Sequence, residues 1–170
     1  MLYTDIVFRV KITARTEWEV AVIRAALLFV RRSSFKRNIR FINGIGVHPY
    51  DGYNNELFPT TGVWICQRGT ISESSIVYLA SLLVHEGYHA EKGKKGDINF
   101  NSSQEPAAYA LQIKFLRKYG TSNDVKYVTG LRKGKHWLHV LKSKSRREGY
   151  LSAGAAIRRY HNRVTKKMNY

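Results

Sequence analysis

The run Leu79-Ala80-Ser81-Leu82-Leu83-Val84-His85-Glu86-Gly87-Tyr88-His89-Ala90 constrains this chain more than any other stretch. Each residue of an α-helix advances about 100°, so His85 and His89 stand about 40° apart, one turn above the other, and can point at one metal ion. Two neutral imidazoles are half of a tetrahedral zinc site. Glu86 falls about 60° round from His89, outside the ligand plane but within reach of a water on the metal, where a general base belongs. The same pattern also occurs on surface helices that bind nothing. Here Ile76, Leu79, Ala80, Leu83, Gly87 and Ala90 gather on the side opposite His85, which predicts a helix with a buried back and a histidine-bearing front. Gly87 costs about 1 kcal/mol in a helix interior. On the buried side, its missing side chain would let a neighbouring strand or helix approach closely.

The length of 170 residues, 44% of them hydrophobic and 12% aromatic, fits one folded domain with a proper core. Cys66 is the single cysteine, which excludes an intramolecular disulfide and reads as a small core residue of a strand rather than a nucleophile. The apolar run Val20 to Val30 is split by Arg24 and is too short and too far from the start for a signal peptide or a membrane span, so the expectation is a cytoplasmic or otherwise soluble protein, with a signal-less export route left open. Lys and Arg number 29 against 12 Asp and Glu, a formal charge of +17. From Lys126 to the end there are thirteen basic residues and one acid, Glu148. That segment, 126–170, is expected to favour an anionic partner, either nucleic acid or an acidic protein, unless it is only a solvated face.

Leu2 to Ile12 alternates and is rich in Val, Ile, Tyr and Phe, predicting a first strand. Thr16-Glu17-Trp18-Glu19 is a capping box that opens an amphipathic helix running to about Arg32. Ile39 to Val47 reads as a second strand, in which Gly44 and Gly46 suggest a bulge or close approach. The stretch from His48 to Asn55 is turn-rich. Gly62 to Gly69 reads as a third strand, able to lie along a cleft and offer its edge to an extended peptide. Thr70 or Ser72 then caps the histidine helix, which stops at Glu91 to Gly93 before a basic loop, Lys94 to Asp97. Ser102-x-x-Glu105 with Pro106 restarts a helix from Gln104 to about Tyr119, closed by Gly120. A short helix over Asn123 to Leu131 and a basic terminal helix over Arg146 to Lys167 complete the reading.

Catalytic zinc needs a third protein ligand and an open fourth position. Lys92 and Lys95 stand where the His-Glu-x-x-His-x-x-Gly-x-x-His pattern needs Gly and His, Glu91 points about 200° from the histidines, and Asp97 sits in a glycine-lysine loop. Glu105, sixteen positions after His89 at the start of a new helix, is the best-placed acid. It shares a face with Ala108, Tyr109, Gln112 and Leu116, and small Ala108 permits close packing on the histidine helix. Its other reading is the capping-box partner of Ser102.

His85-Glu86-Gly87-Tyr88-His89 followed by Glu105-Pro106-Ala107-Ala108-Tyr109-Ala110 on the next helix resembles a minimal gluzincin-type zinc metallopeptidase, with the core at residues 62–119. The resemblance implies His85, His89 and Glu105 as zinc ligands and Glu86 as catalytic acid and base. The expected fold is α+β and zincin-like: a small twisted sheet with an N-terminal helix against it, two metal-bearing helices and a basic helical C-terminus, in one domain over 1–170. The expected chemistry is hydrolysis of a peptide bond in a protein substrate by metal-activated water, with Glu86 as general base. Tyr109, His136, His139 and His48 are candidates for stabilising the oxyanion, and the sequence does not choose among them. Two rival readings are a toxin or effector peptidase held by an acidic inhibitor, and a basic nucleic-acid-binding module with a non-catalytic metal site.

Overall fold

Tyr3-Thr4-Asp5-Ile6-Val7 forms β1 (Tyr3–Val7) with its alternate residues Thr4 and Ile6 exposed, and the chain then reverses at once into β2 (Val10–Ala14). The single strand expected over residues 2–12 is therefore a hairpin. Its two turn residues, Phe8 and Arg9, have φ of 52° and 71°, the left-handed pair that a two-residue hairpin of matching twist requires. Neither is Gly or Asn, so the turn carries no compositional mark. The Arg31 guanidinium lies 4.6 Å from the Phe8 ring centroid and covers part of this exposed aromatic.

The computed structural model describes residues 2–48, 55–97 and 104–137. The chain divides into a unit over 1–132 and a second unit over 133–170, of which only 133–137 are among the described residues. The terminal basic helix expected over 146–167, and most of the basic segment 126–170, lie outside them.

Helix α1 (Glu17–Arg32) opens with the expected capping box: the Glu19 amide donates to Thr16 Oγ1 at 3.2 Å, and the Thr16 amide donates back to Glu19 Oε2 at 3.0 Å. A 3-10 turn (Lys36–Ile39) follows, and the second strand is shorter than expected, β3 (Gly44–Val47). Strand β4 (Glu56–Phe58) was not legible in the sequence; it turns back through residues 59–62 into β5 (Val63–Cys66), with Gly62 at φ 67°. The sheet order is β1-β2-β3-β5-β4, with β2, β3 and β5 parallel and the two outer strands antiparallel to their neighbours. The strand expected at 62–69 is thus internal. Its edges are filled by β3 and β4, and among the described residues β4 is the outer strand on that side.

Ile12, Ile45, Trp64 and Leu57 stand in register across the four strands β2, β3, β5 and β4 and are all buried. They form one core with Ile23 and Leu27 of α1. After β5 a short helix, α2 (Arg68–Glu73), intervenes before α3 (Ile76–Lys94), whose N-cap is Ser75, accepting from the Tyr78 amide at 3.0 Å, rather than Thr70 or Ser72. The expected buried back of α3 is present: Leu79, Ala80, Leu83 and Ala90 are each 0% exposed. At Gly87 the Asn38 carbonyl oxygen lies 2.0 Å from where a Cβ would sit, so the 3-10 turn seats directly on the α3 backbone. Cys66 is fully buried in β5, and burial raises its thiol pKa, consistent with a core residue.

Helix α4 (Glu105–Tyr119), ending at Gly120, and α5 (Ser122–Lys133) complete the described elements, and α4 packs along α3. Ala108 is 0% exposed at that contact, and Gln112 Nε2 donates to Ser81 Oγ across it at 3.1 Å. Among the described residues the fold is mixed α+β with five helices and a five-stranded sheet. Among the described residues no helix is long and apolar enough to cross a membrane.

Candidate metal centre

The third and fourth turns of α3 carry His85 and His89, both buried, on the side of the helix away from the Asn38 contact. Their facing Nε2 atoms are 3.3 Å apart. The first residue of α4, Glu105, closes the set: Oε2 lies 3.4 Å from His85 Nε2 and Oε1 lies 3.4 Å from His89 Nε2. The three side chains can therefore offer one ligand atom each to a common metal ion.

Burial works to raise the Glu105 carboxyl, but hydrogen bonds from His85 and His89 and their charge outweigh it and hold the group well below the usual carboxylate range. At His89 burial opposes protonation, yet the Glu105 contact and the charge of Glu86 prevail and raise its pKa. A proton held between two imidazoles and a carboxylate occupies the place a cation would take.

The orientation of His89 is fixed by a residue that sequence reasoning passed over. His89 Nδ1 lies 3.3 Å from Gln104 Oε1, buried. Because an amide oxygen only accepts, Nδ1 carries a proton, which in the neutral imidazole leaves the Nε2 lone pair for the centre. Gln104 Nε2 in turn reaches the Asp97 carbonyl at 3.5 Å, which holds the amide in that sense. The available signal was position alone, since Gln104 immediately precedes Glu105. Among the described residues His85 has no equivalent support, and its buried Nδ1 has no hydrogen-bond partner there.

The capping alternative for Glu105 is not what the fold shows. The N-cap of α4 is Gln104, which makes no side-chain capping bond and puts Glu105 at the first helical position instead of the third. Ser102 lies outside the described residues.

Glu86 is half-buried one residue from His85, and its charge is felt at His89, Tyr109 and Cys66. It is not one of the three clustered groups. Tyr109, one turn beyond Glu105, stands edge-on to the His85 ring with centroids 4.8 Å apart. Burial, followed by the Glu105 charge, raises its hydroxyl pKa, so it stays a donor throughout the physiological range. His48 is buried at the end of β3, its amide donating to the Cys66 carbonyl at 2.8 Å. His136 is an exposed residue of the second unit, and His139 lies outside the described residues. Glu91 pairs with Lys95 at 2.7 Å and Arg40 at 3.4 Å, away from the centre as expected. Asp97 is exposed and takes part only through its backbone. Compared with known protein families, with curated proteins and with solved structures, the chain matches none.

Proposed function

We propose that the protein is a zinc-dependent metallopeptidase of gluzincin type, hydrolysing peptide bonds in a protein substrate. One observation carries the reading: the two imidazole Nε2 atoms are 3.3 Å apart, and each has one oxygen of the Glu105 carboxylate 3.4 Å away, Oε2 at His85 and Oε1 at His89. Zinc bonds of about 2.0–2.1 Å directed to the corners of a tetrahedron put their ends about 3.4 Å apart, so the donor set fits the ion with little movement. Two imidazoles and a carboxylate also match the donors that catalytic zinc prefers, and three protein ligands leave a fourth position for water. His85, His89 and Glu105 would hold the ion. When bound, zinc supplies a water of lowered pKa and a Lewis acid for a carbonyl oxygen.

The remaining work falls to this chain's own residues. Glu86, next to His85 and outside the ligand set, takes the proton of the attacking water and passes it to the leaving amine. Tyr109, kept protonated and against His85, stands nearest the ligand set to donate to the carbonyl oxygen as it gains charge. Gln104 keeps His89 in the ligating tautomer.

The test is a proteolysis screen against a panel of unfolded and folded proteins, with zinc-loaded wild type beside Glu86→Gln. The proposal expects cleavage by wild type, and a Glu86→Gln protein that retains zinc but cleaves at least about 100-fold more slowly, in line with the loss of a general base. Equal cleavage by both, or none by zinc-loaded wild type on any substrate, would overturn it.

A further inference from the structure

A second feature of the surface lies on the far side of α4 from the metal centre. Lys114 follows Glu105 by nine positions, about 180° round the helix, and shares that outer face with Leu111 and Lys118. Between this face and the segment after α1 lies a cleft of about 590 Å³, lined by Ser34, Phe35, Asn38, Leu111, Lys114, Arg117 and Lys118. The cleft is built on an aromatic cluster: Phe115 of α4 meets Phe29 of α1 edge-on at 6.0 Å and Phe35 at 5.2 Å. The Ser34 amide and hydroxyl lie 3.4 and 3.5 Å from the Tyr119 hydroxyl, and Lys118 Nζ donates to Ser34 Oγ at 3.2 Å, tying the two walls together.

The charge of this cleft is one-sided. Lys114, Arg117 and Lys118 are exposed, as are Lys36 and Arg37 on the turn that forms the opposite wall. Among the described residues none of these five has a carboxylate partner, whereas nearby Arg40 is paired with Glu91. The floor is apolar, made by Phe35 and Leu111. Like charges gathered without counterions repel one another, and a ligand that neutralises them recovers that energy.

We propose that this cleft docks an acidic segment of a partner protein, with an apolar side chain of that segment on the half-buried Leu111 and its flanking carboxylates on Lys114, Arg117 and Lys118. A cationic rim around an apolar floor is the complement of an acidic, amphipathic peptide. Single-stranded nucleic acid is the poorer match, because it binds through exposed aromatic faces. Phe35 is only 7% exposed and spends its ring on the Phe115 and Tyr119 contacts. The docking surface is independent of the metal chemistry, so it stands or falls separately from the peptidase reading.

The experiment measures equilibrium binding of the full-length chain to a fluorescent random glutamate–tyrosine copolymer by anisotropy, with polyglutamate and an oligothymidylate of matched charge as competitors. Lys114→Glu/Arg117→Glu is compared with Lys126→Glu/Arg132→Glu, which makes the same change in net charge at exposed residues of α5. The cleft pair should weaken binding at least about tenfold and the control pair less than about twofold, and the copolymer should bind more tightly than polyglutamate. Equal weakening by both pairs would reduce the effect to bulk charge and overturn the proposal. So would an oligothymidylate that displaces the copolymer more effectively than polyglutamate does and loses affinity with the cleft pair. If the charge-reversed cleft pair does not fold, Lys114→Gln/Arg117→Gln against Lys126→Gln/Arg132→Gln carries the same comparison.

Discussion

Replacing Gln104 by Leu keeps nearly the same volume and removes the buried acceptor 3.3 Å from His89 Nδ1. Two consequences follow from the geometry. The Nδ1–H is left unsatisfied in the interior, at a cost of about 1–3 kcal/mol to any state that keeps it there. To avoid that cost the metal-free imidazole shifts its proton towards Nε2, the nitrogen that faces His85 and Glu105, and this proton must leave before a metal can bind. Loss of such a supporting partner typically lowers metal affinity about 10–100-fold, or roughly 1.4–2.7 kcal/mol. Since Gln104 also begins α4, the fold must be monitored separately. The assay is competition for zinc with a chromophoric chelator at pH 7, alongside melting of the metal-free proteins. Gln104→Leu should fall in that range while Gln104→Glu, which restores an acceptor, binds zinc at least about tenfold more tightly than Gln104→Leu. If Gln104→Leu binds zinc within about twofold of wild type with an unchanged melting temperature, the orienting role is wrong.

Two further outcomes follow from single contacts. Gly87→Ala puts a methyl group 2.0 Å from the Asn38 carbonyl oxygen. Backing α3 off the 3-10 turn should cost about 1–3 kcal/mol, more than the roughly 1 kcal/mol of helix propensity gained, so the melting temperature falls, and a rise would show that the contact is loose. In the metal-free protein the His89 pKa lies above 6.5 and that of Glu105 below 4.5. The His89 contribution to stability is present below pH 6.5 and lost as pH rises through the raised value, while the Glu105 contribution is present above pH 4.5 and lost as pH falls through the lowered one. The melting temperature of the metal-free protein should therefore peak between these limits. Zinc affinity should move the other way at His89, weakening as the solution is acidified through its raised pKa, and an affinity that does not vary between pH 8 and 6 would exclude proton competition at this residue.

Those parts of the fold written in local chemistry were legible in the sequence. The Thr16-x-x-Glu19 box marks the start of α1, the apolar spacing from Ile76 to Ala90 marks the buried back of α3, and Gly120 closes α4. The close approach at Gly87 could be anticipated because a glycine on the buried side of a helix needs a reason. What was missed depended on tertiary context. Continuous alternation through Phe8 and Arg9 conceals a reversal whose two left-handed residues carry no glycine signal. Three residues, Glu56 to Phe58, are too few to show a period, and without them β5 looked like an edge strand. Ser75 caps α3 because α2 consumes the earlier candidates. At the centre, His85 and His89 could be placed by helix geometry alone, and Glu105 by the lack of a competing acid. Gln104 could not, since nothing in a sequence says which residue lies beneath the second nitrogen of a histidine.

The account rests on a metal held jointly by α3 and α4, and Glu105→Gln examines that most directly. The substitution keeps the shape of the side chain but replaces a carboxylate by a neutral amide, a much poorer zinc ligand. Isothermal titration of metal-free wild type with zinc should give about one site per chain, and Glu105→Gln should lose more than the about 100-fold that a supporting residue can account for, with its fold intact by circular dichroism. Zinc binding by Glu105→Gln as tight as wild type would contradict the proposed centre.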